Sequence, residues 1–109
     1  MMETWEEIDA RSLLNGLKNG DIKPEQIIDV REQMEWDYYH LEGTTLIPMN
    51  TIPLHQSELH SDLPLYIICA HGVRSAAVCD YLYGQGHSGI HNVSGGMAAV
   101  ALVEGFQYD

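Results

Sequence analysis

The stretch that decides the fold is residues 65–75, LYIICAHGVRS. Its first four residues form a continuous apolar run after Pro64, which is typical of a strand buried on both faces of a parallel sheet. The following segment, Ser75–Gln85, predicts a helix with a broad apolar face, and Gly84 and Gly86 mark its end. The residues in between therefore join the carboxyl end of a strand to the N-terminus of a helix, the place where open α/β sheets bind their ligands.

Working outward from this stretch, apolar strand patterns alternate with amphipathic helix patterns. Strands are predicted at Thr4–Ile8, Gln26–Val30, Thr44–Ile47, Leu65–Ile68 and Ile90–Val93, and the other helices at residues 10–19 after an Asp9 N-cap, at Glu32–Tyr39 and at Met97–Val103. The pattern leaves the helix content of residues 49–64 open. This alternation predicts an α/β fold with a parallel sheet covered by helices on both faces.

Composition narrows the function classes. The chain has 109 residues and a net charge of -11, so we expect one compact domain over residues 1–109 that binds neither nucleic acid nor an anionic membrane surface. No apolar run approaches the ~20 residues that a membrane span needs. The N-terminus lacks a signal-peptide pattern, so we expect a cytoplasmic protein. In that reducing compartment, Cys69 and Cys79 favour a catalytic thiol over a structural disulfide.

The chemistry of the loop depends on Cys69, which the strand delivers at its carboxyl end. A free thiol with a pKa of about 8.5 is mostly protonated near neutral pH, and helix amides together with the Arg74 guanidinium favour its thiolate. Backbone N–H groups of a tight loop can form an anion-binding cradle, and Gly72 permits the backbone angles that such a loop needs. The pattern predicts a nucleophile for a sulfur or phosphorus centre; the alternative is a buried, inert cysteine in a strand-to-helix turn.

Short motifs before and after this loop occur in a fixed order and spacing. In chain order they are a strand-end Asp-Val-Arg (Ile28–Arg31), a short acidic and aromatic helix (Glu32–Tyr38), a His-Leu-Glu-Gly turn (His40–Gly43), a strand closed by proline (Leu46–Pro48), the cysteine loop (Ile67–Ser75) and a Gly-Gly segment (Val93–Met97). Taken together, these motifs resemble those of single-domain rhodaneses over most of the chain.

The resemblance implies a rhodanese-like fold with a central five-stranded parallel sheet and a thiosulfate sulfurtransferase-like enzyme. It implies that Cys69 accepts a sulfane sulfur as a persulfide, from a small sulfur-containing anion such as thiosulfate or from a persulfidated protein, and passes it to a thiol or cyanide. No cofactor is expected. The loop positions that match the family's substrate-binding cradle are Ala70, His71, Gly72, Val73 and Arg74.

Two alternative functions stay open at this point. One is a cysteine-dependent phosphatase or arsenate reductase of the same fold; those enzymes carry a loop one residue longer, whereas four residues separate Cys69 from Arg74. The other is a sulfur-relay module that docks a partner protein and has little activity on small molecules. The shorter loop favours sulfur over phosphate.

The remaining polar candidates are predicted to be structural. Asp29 and Arg31 are expected to pair and to organise the neighbouring loops rather than to react. Cys79 is expected to pack as a small hydrophobic residue on the helix after the loop. His87 and His91 are four apart, but Ser-Gly between them opposes a helix and no ligand set is completed, so no metal site is expected.

Overall fold

A computed structural model describes residues 5–59 and 62–108 of the chain. Its five strands are β1 Glu6–Ile8, β2 Ile27–Asp29, β3 Thr45–Leu46, β4 Leu65–Ile68 and β5 Ile90–Val93. They form one sheet in the order β1-β5-β4-β2-β3, and all neighbouring strands are parallel. The predicted five-stranded parallel sheet is therefore confirmed, with β4 at its centre.

Four helices cover the sheet: α1 Ala10–Asn19, α2 Gln33–Tyr38, α3 Val73–Gly84 and α4 Gly96–Glu104. The predicted cap of α1 is confirmed, because the Asp9 carboxylate accepts the Ser12 N–H at 2.8 Å and Gly20 ends the helix in the left-handed region. Within the described ranges, no helix is long and apolar enough to cross a membrane.

The central strand β4 separates two apolar layers. Leu65 and Ile67 pack on one side with α3 and the segment after β3, whereas Tyr66 and Ile68 pack on the other side with α1 and α4. Because successive side chains of a strand point to opposite faces, both faces of β4 must be apolar. This arrangement explains the unbroken apolar run in the sequence and confirms that helices lie on both faces of the sheet.

Several predicted boundaries were wrong by one or two residues. The helix predicted to begin at Ser75 begins at Val73, because Gly72 at φ +97° ends the loop and acts as the N-cap. Val73 and Arg74, predicted as loop residues, therefore belong to the first turn of α3. The first predicted strand includes Thr4, which lies outside the described residues.

The segment left open by the sequence forms a run of 3₁₀ turns over Met49–Leu59. Pro53 lies inside it, and Ile52 and Leu59 are buried against the α3 side of the sheet. A shorter 3₁₀ turn, Pro24–Gln26, takes the first residue of the strand predicted at Gln26–Val30. The Gln26 amide donates to the Pro64 carbonyl at 2.9 Å and so fixes the entrance to β4.

Candidate active site

Cys69 lies directly after β4, at the carboxyl edge of the sheet, and its side chain is only 1% exposed. Its Sγ accepts the backbone N–H of Gly72 at 3.0 Å and that of Ser75 at 3.3 Å. The Ser75 hydroxyl lies 3.2 Å from Sγ and donates to it when the thiol is ionised. Three donors from one turn of chain therefore surround this sulfur.

These donors set the ionisation of the thiol. Burial alone raises the pKa of Cys69, but hydrogen bonds from the Ser75 side chain and from the amides of Ser75, Gly72 and His71 outweigh burial and bring the pKa below its ordinary value. The N-terminus of α3 adds its positive dipole end at the same place. The surroundings of Cys69 therefore favour the thiolate, the nucleophilic form.

A polar network under the loop holds its backbone in shape. The buried Asn92 side chain of β5 donates to the Gly72 carbonyl at 3.3 Å and to the Glu7 carboxylate at 3.2 Å, and the Ser94 hydroxyl donates to Glu7 at 2.7 Å. A Cβ at Gly72 would lie 3.2 Å from the amide nitrogen of Gly95. The loop therefore needs glycine at position 72 both for its positive φ and for this close approach.

The N-terminus of α4 anchors the carboxyl end of β4. The Met97 N–H donates to the Cys69 carbonyl at 2.8 Å, and the Ala98 N–H donates to the Ala70 carbonyl at 3.0 Å. A Cβ at Gly96 would lie 2.7 Å from the Ala70 carbonyl oxygen, so only glycine allows this contact. The Gly-Gly segment singled out in the sequence thus seats the cysteine loop on the helix that follows it.

Arg74 is bound by a carboxylate of the protein itself. Its two terminal nitrogens donate to the two carboxylate oxygens of Glu35 on α2, at 2.9 and 2.8 Å. The hydrogen bond from Arg74 lowers the pKa of Glu35 to about 2, and the pKa of Arg74 is raised in turn. The guanidinium that the sequence assigned to an external anion is therefore already paired.

A cleft of about 430 Å³ opens beside Arg74. Arg74 and Glu32 are the charged residues on its wall, and the rest is mostly apolar. Its apolar lining comes from the 3₁₀ segment and from α3, namely Met49, Ile52, Pro53, Ala77, Val78 and Tyr81. Open space therefore borders the first turn of α3 at Arg74.

The other predicted cradle positions contribute in different ways. Ala70 is buried and held by α4, whereas His71 and Val73 are exposed at the surface of the loop. The His71 ring lies edge-on to Tyr108, with ring centroids 6.2 Å apart. Of the five predicted positions, Gly72 contacts the Cys69 sulfur, through its backbone N–H.

The residues predicted to be structural are buried and paired. Asp29 accepts from Nε and Nη2 of Arg31 at 2.8–3.1 Å, and both side chains are almost fully buried. Cys79 is fully buried in the α3 core, and burial raises its pKa to about 12. The predicted pairing of Asp29 with Arg31 and the predicted packing of Cys79 in the core are both confirmed.

The two histidines considered for a metal have separate neighbours. His87 Nε2 lies 3.4 Å from Gln56 Oε1, whereas His91 Nε2 lies 3.6 Å from a Glu6 carboxylate oxygen on β1. In the part of the chain that the structure describes, no three His, Cys, Asp or Glu side chains are grouped closely enough to hold a metal ion.

Sequence reasoning missed three residues of the site. Ser75 was predicted only as the first residue of a helix, although its position at the helix N-terminus that follows the cysteine loop is a signal that could have been used. Glu35 and Asn92 act across the fold, at sequence separations that no local pattern reports.

The family model described as Rhodanese-like domain matches residues 9–102. A sulfurtransferase of Allochromatium vinosum is 34% identical over 95 residues, which cover 87% of this chain and 87% of that protein. The thiosulfate sulfurtransferase GlpE of Shewanella oneidensis is 27% identical over 79 residues, covering 72% of this chain and 78% of the relative.

Solved structures agree with these matches. The crystal structure of a rhodanese-like domain protein from Staphylococcus aureus has a TM-score of 0.79 and 40% identity, and it covers 87% of this chain and 90% of the other. A rhodanese-related protein from Thermoplasma volcanium has a TM-score of 0.78 and 29% identity, covering 94% and 95% of the two chains. Because the family model covers residues 9–102, this chain belongs to the rhodanese-like domain family.

Proposed function

We propose that the protein is a sulfurtransferase in which Cys69 carries the transferred sulfur as a persulfide. The observation that carries the proposal is the sulfur of Cys69 at a strand end, with N–H donors of Gly72 and Ser75 at 3.0 and 3.3 Å and a lowered pKa. Such donors stabilise negative charge on sulfur both before and after a covalent intermediate forms. The family and the relatives named as sulfurtransferases support the same reaction class.

The first half-reaction loads the enzyme. The Cys69 thiolate attacks the outer sulfur of thiosulfate, an S–S bond forms to Sγ, the S–S bond of thiosulfate breaks, and sulfite leaves with the electron pair. A persulfide donor reacts in the same way, with its thiolate as the leaving group. No external oxidant or reductant is consumed.

The second half-reaction discharges the enzyme. An acceptor thiolate or cyanide attacks the outer sulfur of the Cys69 persulfide, and the bond to Sγ breaks with its electron pair on Cys69. The products are a new persulfide or thiocyanate. The same N–H donors then stabilise the regenerated thiolate.

The proposed substrate-binding positions are Ala70, His71, Gly72, Val73 and Arg74. Helix geometry leaves the first-turn amides of α3, at Val73 and Arg74, without partners inside the helix, so they can serve an anion at the mouth of the loop. His71 adds a positive charge there when it is protonated. Backbone groups rather than a free guanidinium thus provide most of the anion binding in the proposed site.

The depth of Cys69 favours sulfur over phosphorus. Cys69 is 1% exposed, so an electrophilic atom finds little open surface at Sγ. A sulfane sulfur is a terminal atom with one bond and can approach end-on, whereas the phosphorus of a phosphate monoester is enclosed by four oxygens. This geometry and the short loop both favour sulfur transfer over a phosphatase or arsenate reductase activity.

Intact-mass spectrometry after incubation with thiosulfate tests the proposal. We expect the wild-type chain to gain one sulfur atom and to lose it on addition of cyanide, with release of thiocyanate. Cys69→Ser should gain none, whereas the matched control Cys79→Ala should load normally because Cys79 lies in the core.

Two results would overturn the proposal. One is the absence of any Cys69 adduct with both thiosulfate and an organic persulfide. The other is turnover of an aryl phosphate that is lost in Cys69→Ser, which would assign the same cysteine to phosphoryl transfer.

A further inference from the structure

Arg74 is the single Lys or Arg in residues 43–109, and it lies in the first turn of α3, five residues after Cys69. A guanidinium at that position is the natural side-chain partner for an anionic donor. In this protein the Arg74 guanidinium already has a partner, because both of its terminal nitrogens donate to the Glu35 carboxylate at 2.9 and 2.8 Å. A donor anion must therefore compete with an internal carboxylate.

A second hydrogen bond holds the Glu35 carboxylate in place beside Arg74, where it competes with a donor anion. Its Oε1 also accepts the Glu32 N–H at 2.9 Å, in the capping box of α2, so the carboxylate is fixed from two sides. Its pKa of about 2 keeps it ionised at any pH at which the enzyme would work. The pair nevertheless remains about one-third exposed, with Arg74 on the wall of the open cleft, so a donor can reach the guanidinium.

We propose that Glu35 is a specificity-determining residue that acts through Arg74: its carboxylate occupies the guanidinium and weakens the capture of small dianionic donors such as thiosulfate. Donors that bring their sulfane sulfur on an organic thiol, with less charge to place on Arg74, lose less by this arrangement. The inference rests on the proposed sulfurtransferase activity and states which class of donor that activity disfavours.

Steady-state kinetics with thiosulfate and cyanide test this role through Glu35→Gln, which keeps an oxygen for the Glu32 N–H but removes the charge. We expect kcat/KM for thiosulfate to rise roughly two- to fivefold through a lower KM, the range for a partly exposed ion pair, with kcat unchanged. With 2-hydroxyethyl persulfide as the donor, the increase should be smaller.

Asp37→Asn is the matched control. Asp37 is an exposed carboxylate of the same helix whose Oδ1 accepts from the Gln33 amide at 2.8 Å. Asp37→Asn removes one negative charge from α2, as Glu35→Gln does, but leaves the Glu35–Arg74 pair intact. An equal fall in KM in both variants, or no fall in Glu35→Gln, would overturn the proposal.

A double-variant cycle locates the effect on the guanidinium. In an Arg74→Ala background, Glu35→Gln should no longer improve thiosulfate use, because the group that the carboxylate occupies has been removed. An undiminished improvement in that background would show that Glu35 acts by another route and would overturn the proposal.

Alkylation of Cys69 separates this inference from the proposed function. Iodoacetate is an anion and iodoacetamide is neutral. The rate of alkylation by iodoacetate divided by the rate with iodoacetamide therefore reports how readily an anion reaches Cys69, without any sulfur transfer. The ratio should rise in Glu35→Gln and stay constant in Asp37→Asn. A constant ratio in Glu35→Gln, together with normal persulfide formation, would refute the role of Glu35 and leave the function intact.

Discussion

Two arginine–carboxylate pairs lie at the carboxyl edge of the sheet, and they differ in burial. The Asp29–Arg31 side chains are 1% and 0% exposed, whereas those of Glu35 and Arg74 are 31% and 36% exposed. In both pairs the guanidinium donates to both carboxylate oxygens, at 2.8–3.1 Å in the first and 2.8–2.9 Å in the second. Geometry alone therefore does not separate a structural pair from one that can exchange its partner; access to solvent does.

The buried pair is saturated as well as enclosed. Besides Asp29, the Arg31 guanidinium donates to the carbonyls of Tyr39 and Glu35 and to the Tyr108 hydroxyl, at 2.7–3.3 Å. Glu35 thus takes part in both pairs, with its carbonyl on Arg31 and its carboxylate on Arg74. The fixed pair holds the α2 backbone that carries the carboxylate of the exchangeable pair.

The largest expected effect comes from breaking the buried pair. Asp29→Asn keeps the shape of the side chain but leaves the Arg31 charge buried without its counter-charge, so the free energy of unfolding should fall by about 3–5 kcal/mol. Urea denaturation at neutral pH measures this change. Asp37→Asn, at an exposed carboxylate, is the control; a comparable small loss in both variants would contradict the distinction between the two pairs.

A smaller effect on stability is expected at Tyr108, whose hydroxyl contacts the buried pair. Tyr108→Phe removes the hydroxyl that accepts from Arg31 at 3.0 Å, while the Glu35 carbonyl still accepts from the same nitrogen. The free energy of unfolding should fall by about 1 kcal/mol, the scale of one hydrogen bond. Urea denaturation of this variant and of Tyr83→Phe, at an exposed tyrosine of α3, provides the comparison. An equal loss at Tyr83 would show that the hydroxyl of Tyr108 has no special role.

The smallest effect concerns the exposed pair and depends on pH. The folded pKa of Glu35, about 2, lies below its ordinary value of 4.5, so its stabilisation is present above pH 4.5 and is lost as the pH falls through 2. Solvent screening limits this stabilisation to about 1 kcal/mol or less. The stability difference between wild type and Glu35→Gln should therefore shrink from pH 6 to pH 2; a difference independent of pH would contradict the ion pair as its source.

The sequence predicts best those elements of the fold that are fully buried, above all the central strand β4. The apolar run Leu65–Ile68 predicts a central parallel strand, and the strand-end Cys69 with Gly72 and Arg74 predicts the loop. The start of α3 was misplaced by two residues because the left-handed Gly72 ends the loop sooner than the Ala-rich helix pattern suggests. Chain order and local spacing carry this information.

The rest depends on contacts between distant segments. Glu35 and Arg74 are 39 residues apart and Asn92 lies 20 residues beyond Gly72, so neither contact has a local pattern. Residues 49–59 form 3₁₀ turns, which lack the 3.6-residue period that identifies a helix, and packing of Ile52 and Leu59 decides their course. Whether an arginine in the loop is free or occupied is therefore visible only in the structure.

The depth of the Cys69 sulfur has a consequence for the loaded enzyme. A sulfur atom attached to Sγ extends it by about one S–S bond, roughly 2 Å, toward the mouth of the loop. In the proposed cycle the cargo therefore sits nearer to an acceptor than the resting thiolate does, while the empty sulfur stays withdrawn from bulky oxidants. The proposed persulfide would therefore be more accessible to other molecules than the resting thiolate is.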